Sequence, residues 1–463
     1  MFKKLRMPNT FVLLFSLLVL LAISTWFVPG GKYDTHIVNG KTLINPDSFH
    51  YVAANPQGLV ALMLSPIKGF VEAALIIGFI LIVGGAFGVL QKTQAIDSMI
   101  KAVVQLSCDS KLVRALIIPV FVTLFSLGGA TFGMAEEAIP FVLIFIPLAL
   151  ALGYDSVTGV AIPFVGSQVG FAAAFLNPFN VGIAQKIADV PMFSGMGFRV
   201  IVWVLATALT IAFLMVYAAR IKKNPALSPT YHMDQERRLQ APEVGSAAFT
   251  GMTLAHKLVL LIFAGALIVM VVGVIQYSWF IEEIAALFLV MSILVALVGR
   301  LDSDQFVDHF ILGAKDLMTT ALVIALARAT VILARDAQII DTILHSLMPL
   351  IQSSNVILAA YKMFFIQTII NFFIHSGSGQ AALTMPIMAP LADLVGVSRQ
   401  TAVLAFQFGE FTTSVIPTSG ITVGVLALAK IPWITWAKWM IPLQLIYLVL
   451  ALVMLAIAVQ IGW

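Results

Sequence analysis

The stretch HSGSGQAALTMP, residues 375–386, puts two glycines, two serines and a glutamine between two strongly apolar runs. A membrane helix should be most apolar there. A second stretch, GGATFGMAEEAIP at 128–140, interrupts apolar sequence in the same way. The 463 residues around them are 60% hydrophobic and 10% charged, with a mean hydropathy of +1.03. A water-soluble domain carries about 25% charged residues. Apolar runs at 11–28, 258–275 and 439–459 are each long enough to cross a hydrocarbon core of about 30 Å. The fold class expected is therefore an all-α polytopic membrane protein, with membrane lipid as its surroundings.

The net charge of +4 does not point to nucleic acid, because Lys and Arg gather at the ends of apolar runs, where they set orientation. The single cysteine, Cys108, excludes an internal disulfide and a Cys-rich metal site. The basic start MFKKLR leads into an apolar run with no small-x-small cleavage pattern after it, so an uncleaved first span is expected. Full spans are expected at 11–28, 70–90, 154–190, 197–219, 257–277, 280–299, 314–336, 398–430 and 434–460. Residues 112–152 and 355–394 are too interrupted for simple spans and are read as hairpins that enter and leave by one face. With the N-terminus cytoplasmic, roughly twice as many Lys and Arg fall inside as outside, with Arg328 inside a span.

The interruptions belong to a repeat. Asp97 and Asp341, Gly133 and Gly379, Pro140 and Pro386, Pro147 and Pro390, Gly153 and Gly396, and Gly166 and Gly409 stand 243–246 residues apart. NVG at 180–182 meets TVG at 422–424. The threading gives the two copies opposite orientation. The expected organisation is a first helix and extracellular loop (1–69), repeat 1 (70–219, hairpin 112–152 and broken helix 154–190), a solvated cytoplasmic linker (220–256), scaffold helices (257–299) and repeat 2 (300–463, hairpin 355–394 and broken helix 398–430). Inverted repeats with interrupted helices place a solute site near the bilayer midplane, where irregular backbone survives only beside protein or a wet cavity.

Candidate site residues follow from that placement. In FLNPFNVG (175–182) and VIPTSGITVG (415–424), proline removes an amide donor and glycine permits unusual backbone angles. Asn177, Asn180, Thr418, Ser419 and Thr422 can offer oxygens to Na⁺. The competing reading is kinked helices whose side chains are satisfied internally. Glu136, Glu137 and Glu410 are intramembrane carboxylates, each costing about 2.5–3.5 kcal/mol to insert unless it faces a cavity or a partner. One of the three is expected to pair with Arg328, and the others are candidates for a cation, a proton or a substrate ammonium. Thr131, Ser376, Ser378 and Gln380 are candidate solute contacts. His375 opens the second tip and is read as a structural residue. Trp433, Trp436 and Trp439 are read as an interfacial aromatic belt.

At FKKLRMPNTFVLLF, GGAFGVLQKTQAID, GGATFGMAEEAIPF, GFAAAFLNPFNVGIAQ, SGSGQAALTMPIMAPLADLVGVSRQTAVLAFQFG and PTSG, the chain resembles the YfcC-like branch of the C4-dicarboxylate anaerobic carrier family. The resemblance implies the ion-transporter superfamily fold, in which a transport domain slides against a scaffold, usually in homodimers. The chain departs from the family pattern after FQFG, where EFTTSV replaces an Asp-Gly-Phe-Ser-Asn-like stretch, and at His375, where proline is expected. The expected function is secondary transport of a small organic solute by an elevator movement. An amino acid, exchanged or taken up with an ion, leads, and a Na⁺- or H⁺-coupled C4-dicarboxylate follows; no cofactor beyond such a coupling ion is expected. A channel and a membrane-embedded hydrolase are the rivals. The hydrolase is disfavoured because His375 adjoins Ser376 on one turn and no Gly-x-Ser-x-Gly or His-Glu-x-x-His stretch occurs.

Overall fold

The computed structural model describes residues 10–38, 41–44, 48–240, 251–277, 279–351 and 355–463. Thr10–Ser24 (α1) is followed by strands Gly31–Lys32 (β1), Thr35–Val38 (β2), Lys41–Ile44 (β3) and His50–Tyr51 (β4), paired antiparallel as β1–β4 and β2–β3. Helices then run Leu59–Glu72 (α2), Ala74–Lys92 (α3), Ala95–Asp109 (α4), Lys111–Thr131 (α5), Val142–Ala151 (α6), Ser156–Ala172 (α7), Ile183–Ile187 (α8), Met196–Lys223 (α9) and Tyr231–Gln240 (α10). After them come Leu254–Tyr277 (α11), Ile281–Gly299 (α12), Ser303–Asp316 (α13), Met318–Asp336 (α14), Ile340–Leu347 (α15), Val356–Phe373 (α16), Gly377–Leu394 (α17), Arg399–Gly409 (α18), Gly420–Leu428 (α19) and Trp433–Gln460 (α20).

Among the described residues, eight helices are long and apolar enough to cross a membrane: α3, most of α5, α9, most of α11, α12, α14, α16 and α20. The chain is a multi-pass membrane protein. The first span, expected over 11–28, is a 15-residue helix that gives way to turns after Ser24.

The helix boundaries recur. Residues 59 and 303, 72 and 316, 74 and 318, and 92 and 336 bound α2–α3 and α13–α14, every pair 244 apart. Asp155 caps α7 by accepting from the Thr158 amide at 2.9 Å, and Ser398 caps α18 by accepting from the Thr401 amide at 3.1 Å. Side-chain acceptors at these positions satisfy amides that have no partner within their own helix.

The helices pack as two groups. α5, α6, α7, α9, α16, α17, α18 and α20 form one, and α1, α2, α3, α11, α12, α13 and α14 the other, with α19 lying against α14. α2 packs on α14 and α3 on α13. Gly69 and Gly313, again 244 apart, make these crossings. A Cβ on Gly69 would stand 2.2 Å from the Ala325 carbonyl oxygen, and one on Gly313 2.2 Å from that of Gly84. Only a missing side chain lets the backbones approach so closely, the usual device of helix contacts in lipid.

Three expectations are corrected. Residues 59–69, expected in an extracellular loop, begin α2, because LVALMLSPIKGFVE has an apolar face to lay on α14 despite Pro66. The linker 220–256 is not a solvated connector throughout. α10 docks on the start of α7, where buried Asp234 accepts from the Ser156 amide at 3.1 Å and Arg237 donates to Ser156 Oγ and the Ala429 carbonyl, each at 2.5 Å. Residues 241–250 of that linker lie outside the described residues. The tryptophans are not a belt: Trp436 is fully buried and donates to the Ser414 carbonyl at 2.8 Å, and Trp433 donates to that of Val415 at 2.8 Å.

Candidate functional site

Each helix interruption contains a proline, whose missing amide leaves a carbonyl to a side-chain donor. Pro178 cannot donate to the Ala174 carbonyl, which instead accepts Gln407 Nε2 at 2.6 Å. Asn177 caps the turn that follows, accepting from the Phe179 amide at 2.8 Å and the Asn180 amide at 3.3 Å, and its Nδ2 donates to the Gly129 carbonyl at 3.2 Å. Pro417 likewise leaves the Thr413 carbonyl without its helical donor, and Thr422 Oγ1 donates to it. Ser419 caps α19 by accepting from the Thr422 amide at 3.4 Å, and Thr418 Oγ1 donates to the Phe372 carbonyl at 2.6 Å. The side chains expected to offer oxygens to a coupling ion are largely engaged in closing these breaks.

The two interrupted stretches that drew attention in the sequence face one cavity of about 320 Å³, between the two helix groups. Glu136 and Glu137 reach it from the 3₁₀ turn Glu136–Ala138, with Glu137 Oε2 accepting from the Ala135 amide at 2.9 Å. His375, Ser376 and Ser378 reach it from the other side. The second tip is shorter than the sequence suggested: only residues 374–376 leave the helix, because Ser376 caps α17 and the chain is helical again from Gly377. The N-terminus of α17, an 18-residue helix, thus lies at the cavity wall.

Glu72 and Arg328 complete the cavity from the second helix group. The expected pairing of Arg328 with Glu136, Glu137 or Glu410 is corrected: Arg328 meets Glu72 at 2.6 Å, and Glu72 also holds Arg335 at 2.6 Å. Sequence reasoning missed Glu72. Its signal was present, since it is the only acid between Asp47 and Asp97.

The remaining candidates do not line this cavity. Thr131 Oγ1 donates to the Leu127 carbonyl at 2.6 Å, and the residue borders a separate, mostly apolar cavity with Phe132, Phe263 and Met270. Gln380 is buried and donates to the carbonyl and the side-chain oxygen of Gln367, at 2.9 and 2.8 Å, joining α16 to α17. Asn177, Asn180, Glu410, Thr418, Ser419 and Thr422 stand behind the walls. Among the described residues, no three His, Cys, Asp or Glu side chains converge as metal ligands. The cavity therefore offers carboxylates, hydroxyls, a guanidinium held by its own carboxylate and the positive end of a helix, the groups that hold a small charged solute.

A family model described as C4-dicarboxylate anaerobic carrier matches residues 7–460. The Escherichia coli K12 protein named "Putative basic amino acid antiporter YfcC" is 38% identical, over 93% of this chain and 92% of its own. A Haemophilus influenzae protein is 28% identical, over 99% of this chain and 98% of its own. The crystal structure of the Alcanivorax borkumensis YdaH transporter superposes with a TM-score of 0.43 at 18% identity, covering 98% of this chain and 99% of that one.

Proposed function

Because the chain belongs to the C4-dicarboxylate anaerobic carrier family, we propose that it is a secondary transporter that carries basic amino acids across the cytoplasmic membrane, by exchange or with a coupled cation. The observation that carries this choice is an excess of carboxylates at the cavity. Glu136 and Glu137 line it with no ion pair among the described residues, while Glu72 already serves Arg328 and Arg335. Half-buried carboxylates without an ion-pair partner favour a cationic solute. The name of the Escherichia coli relative supports the same reading.

The movement proposed is an elevator: the group of α5–α9, α16–α18 and α20 slides against α2, α3 and α11–α14, with the N-terminus cytoplasmic. The cavity between the groups and the recurring helix boundaries support two inverted repeats, starting at 59 and 303 instead of 70 and 300. Arg328, the hydroxyls of Ser376 and Ser378 and the α17 N-terminus favour the second reading, a C4-dicarboxylate.

Counterflow in liposomes decides between them. Vesicles loaded with arginine should take up labelled arginine, with ornithine competing and succinate not. Glu136→Gln or Glu137→Gln should lower that exchange roughly ten- to hundred-fold, the loss of one charge-assisted contact of about 1.5–3 kcal/mol. Competition by succinate alone would replace the basic amino acid with a dicarboxylate. Flux without counterflow would make the protein a channel.

A further inference from the structure

Glu410 sits behind the second tip, outside the cavity, and is 3% exposed. Its Oε2 accepts Asn180 Nδ2 at 2.7 Å, joining the two helix breaks. Among the described residues its Oε1 has no hydrogen-bond partner, and neither has Asn180 Oδ1. The elements packed on 410–414 include α7, α16, α18, α19 and α20, and Glu410 also meets Asn180 of the 178–182 turn and the start of α17. α7 and α19 carry no ionisable side chain; α16, α18 and α20 carry Tyr361, Lys362, Arg399, Lys438 and Tyr447, α17 carries Asp393, and His375 precedes α17 in the tip. Arg399 pairs with Asp189 and Asp393, Tyr447 bonds Thr210, and no ion pair among the described residues includes Glu410.

A carboxylate sealed from water with a single amide donor is strongly disfavoured without a counter-charge. A glycine lies against the unpartnered oxygen. A Cβ on Gly377 would lie 3.0 Å from Glu410 Oε1 and 3.2 Å from the Phe171 ring, so glycine at the start of α17 leaves that oxygen uncrowded. Two unsatisfied oxygens, one on each of two side chains joined by a hydrogen bond, thus lie where the two breaks meet the tip.

We propose that Glu410 Oε1, with Asn180 Oδ1 beside it, holds one monovalent cation, H⁺ or Na⁺, whose presence seats the 375–378 tip against the two broken helices. As the coupling cation's site this rests on the transport reading; as a binding site it does not.

The test uses purified full-length protein in detergent with no solute added. Its unfolding temperature is measured in NaCl and in choline chloride of equal ionic strength, at pH 6 and pH 8. Stabilisation by Na⁺ at pH 8 identifies Na⁺; stabilisation at pH 6 in either salt identifies H⁺. Glu410→Gln, which replaces the anion by a neutral group of the same shape, should lose that response. Gly377→Ala, which keeps the carboxyl but crowds Oε1, should need more of the same cation for the same stabilisation, and it serves if the Gln variant does not fold. A wild-type protein indifferent to both cations, or variants that respond as the wild type does, would overturn the proposal. Failure of arginine and succinate exchange would instead remove the transport reading and leave the cation site standing.

Discussion

Arg328 meets Glu72 at 2.6 Å across two helices whose residues are 256 positions apart, and Glu72 reaches Arg335 with its other oxygen. The carboxylate is a hub, and each arginine alone is a spoke. Glu72→Gln should therefore weaken exchange more than Arg328→Gln does, because it releases two guanidiniums, one of them in the cavity wall. The pair is partly exposed, so the stability cost should stay near 1 kcal/mol or less. Unfolding temperature and exchange rate, measured on both variants, check the order; a larger exchange defect in Arg328→Gln would reverse it.

The Gly69 crossing gives a packing test with an internal control. Gly69→Ala pushes a methyl into the Ala325 carbonyl and should destabilise by about 1–3 kcal/mol. A Cβ on Gly78, in α3, would meet nothing within 4 Å among the described residues. Gly78→Ala should be neutral or stabilising by up to about 1 kcal/mol, the helix-propensity difference. Equal effects at the two sites would mean that α2 and α14 do not cross as described.

Trp436→Phe keeps the aromatic volume and removes the indole N–H. The Ser414 carbonyl then loses its donor in a buried setting, at a cost of about 1–3 kcal/mol. The variant should lose thermal stability, whereas an interfacial tryptophan would tolerate the change. Loss of no more than a few tenths of a kcal/mol would return Trp436 to the interface.

Asp97 and Asp341 stand in the first turns of α4 and α15. Burial pushes both carboxyls above the usual carboxylate range, offset in part by Lys101 for Asp97, and by the Tyr33 amide and Lys32 for Asp341. A raised carboxyl holds its proton more tightly in the folded chain. Its stabilising contribution is complete below the ordinary Asp value, about 3.9, and is lost as pH rises through the raised one. Asp341→Asn keeps an acceptor for the Tyr33 amide and should be more stable than the wild type at pH 7, with the difference vanishing near pH 4. A difference independent of pH would rule this out.

Much of the fold was legible because its signals are local. Apolar length marks a span, Pro178 and Pro417 each remove one amide, and Asn177 and Ser419 follow as caps. α2 escaped because Pro66, Lys68 and Gly69 look like a loop, whereas Gly69 is there to admit the α14 backbone. The tryptophans of 433–439 were misplaced for a related reason: an indole serves a bilayer interface or an orphaned carbonyl equally well, and only the break at Pro417 supplies the carbonyls. At the site, Glu136, Glu137, Ser376 and Ser378 were legible as polar residues in apolar surroundings. Gln380 had the same signature and proved to be a clasp on Gln367.

By itself the sequence determined that this chain is a multi-pass membrane protein with two interrupted helices in matched halves, because hydropathy, proline and glycine act on the backbone within a few residues. Tertiary structure alone decided that Arg328 belongs to Glu72, that Glu410 faces Asn180, and which carboxylates line the cavity without an ion pair. Those pairings join residues more than two hundred positions apart. They are set by which helix faces come within hydrogen-bond reach when the two groups pack, and no local pattern encodes that.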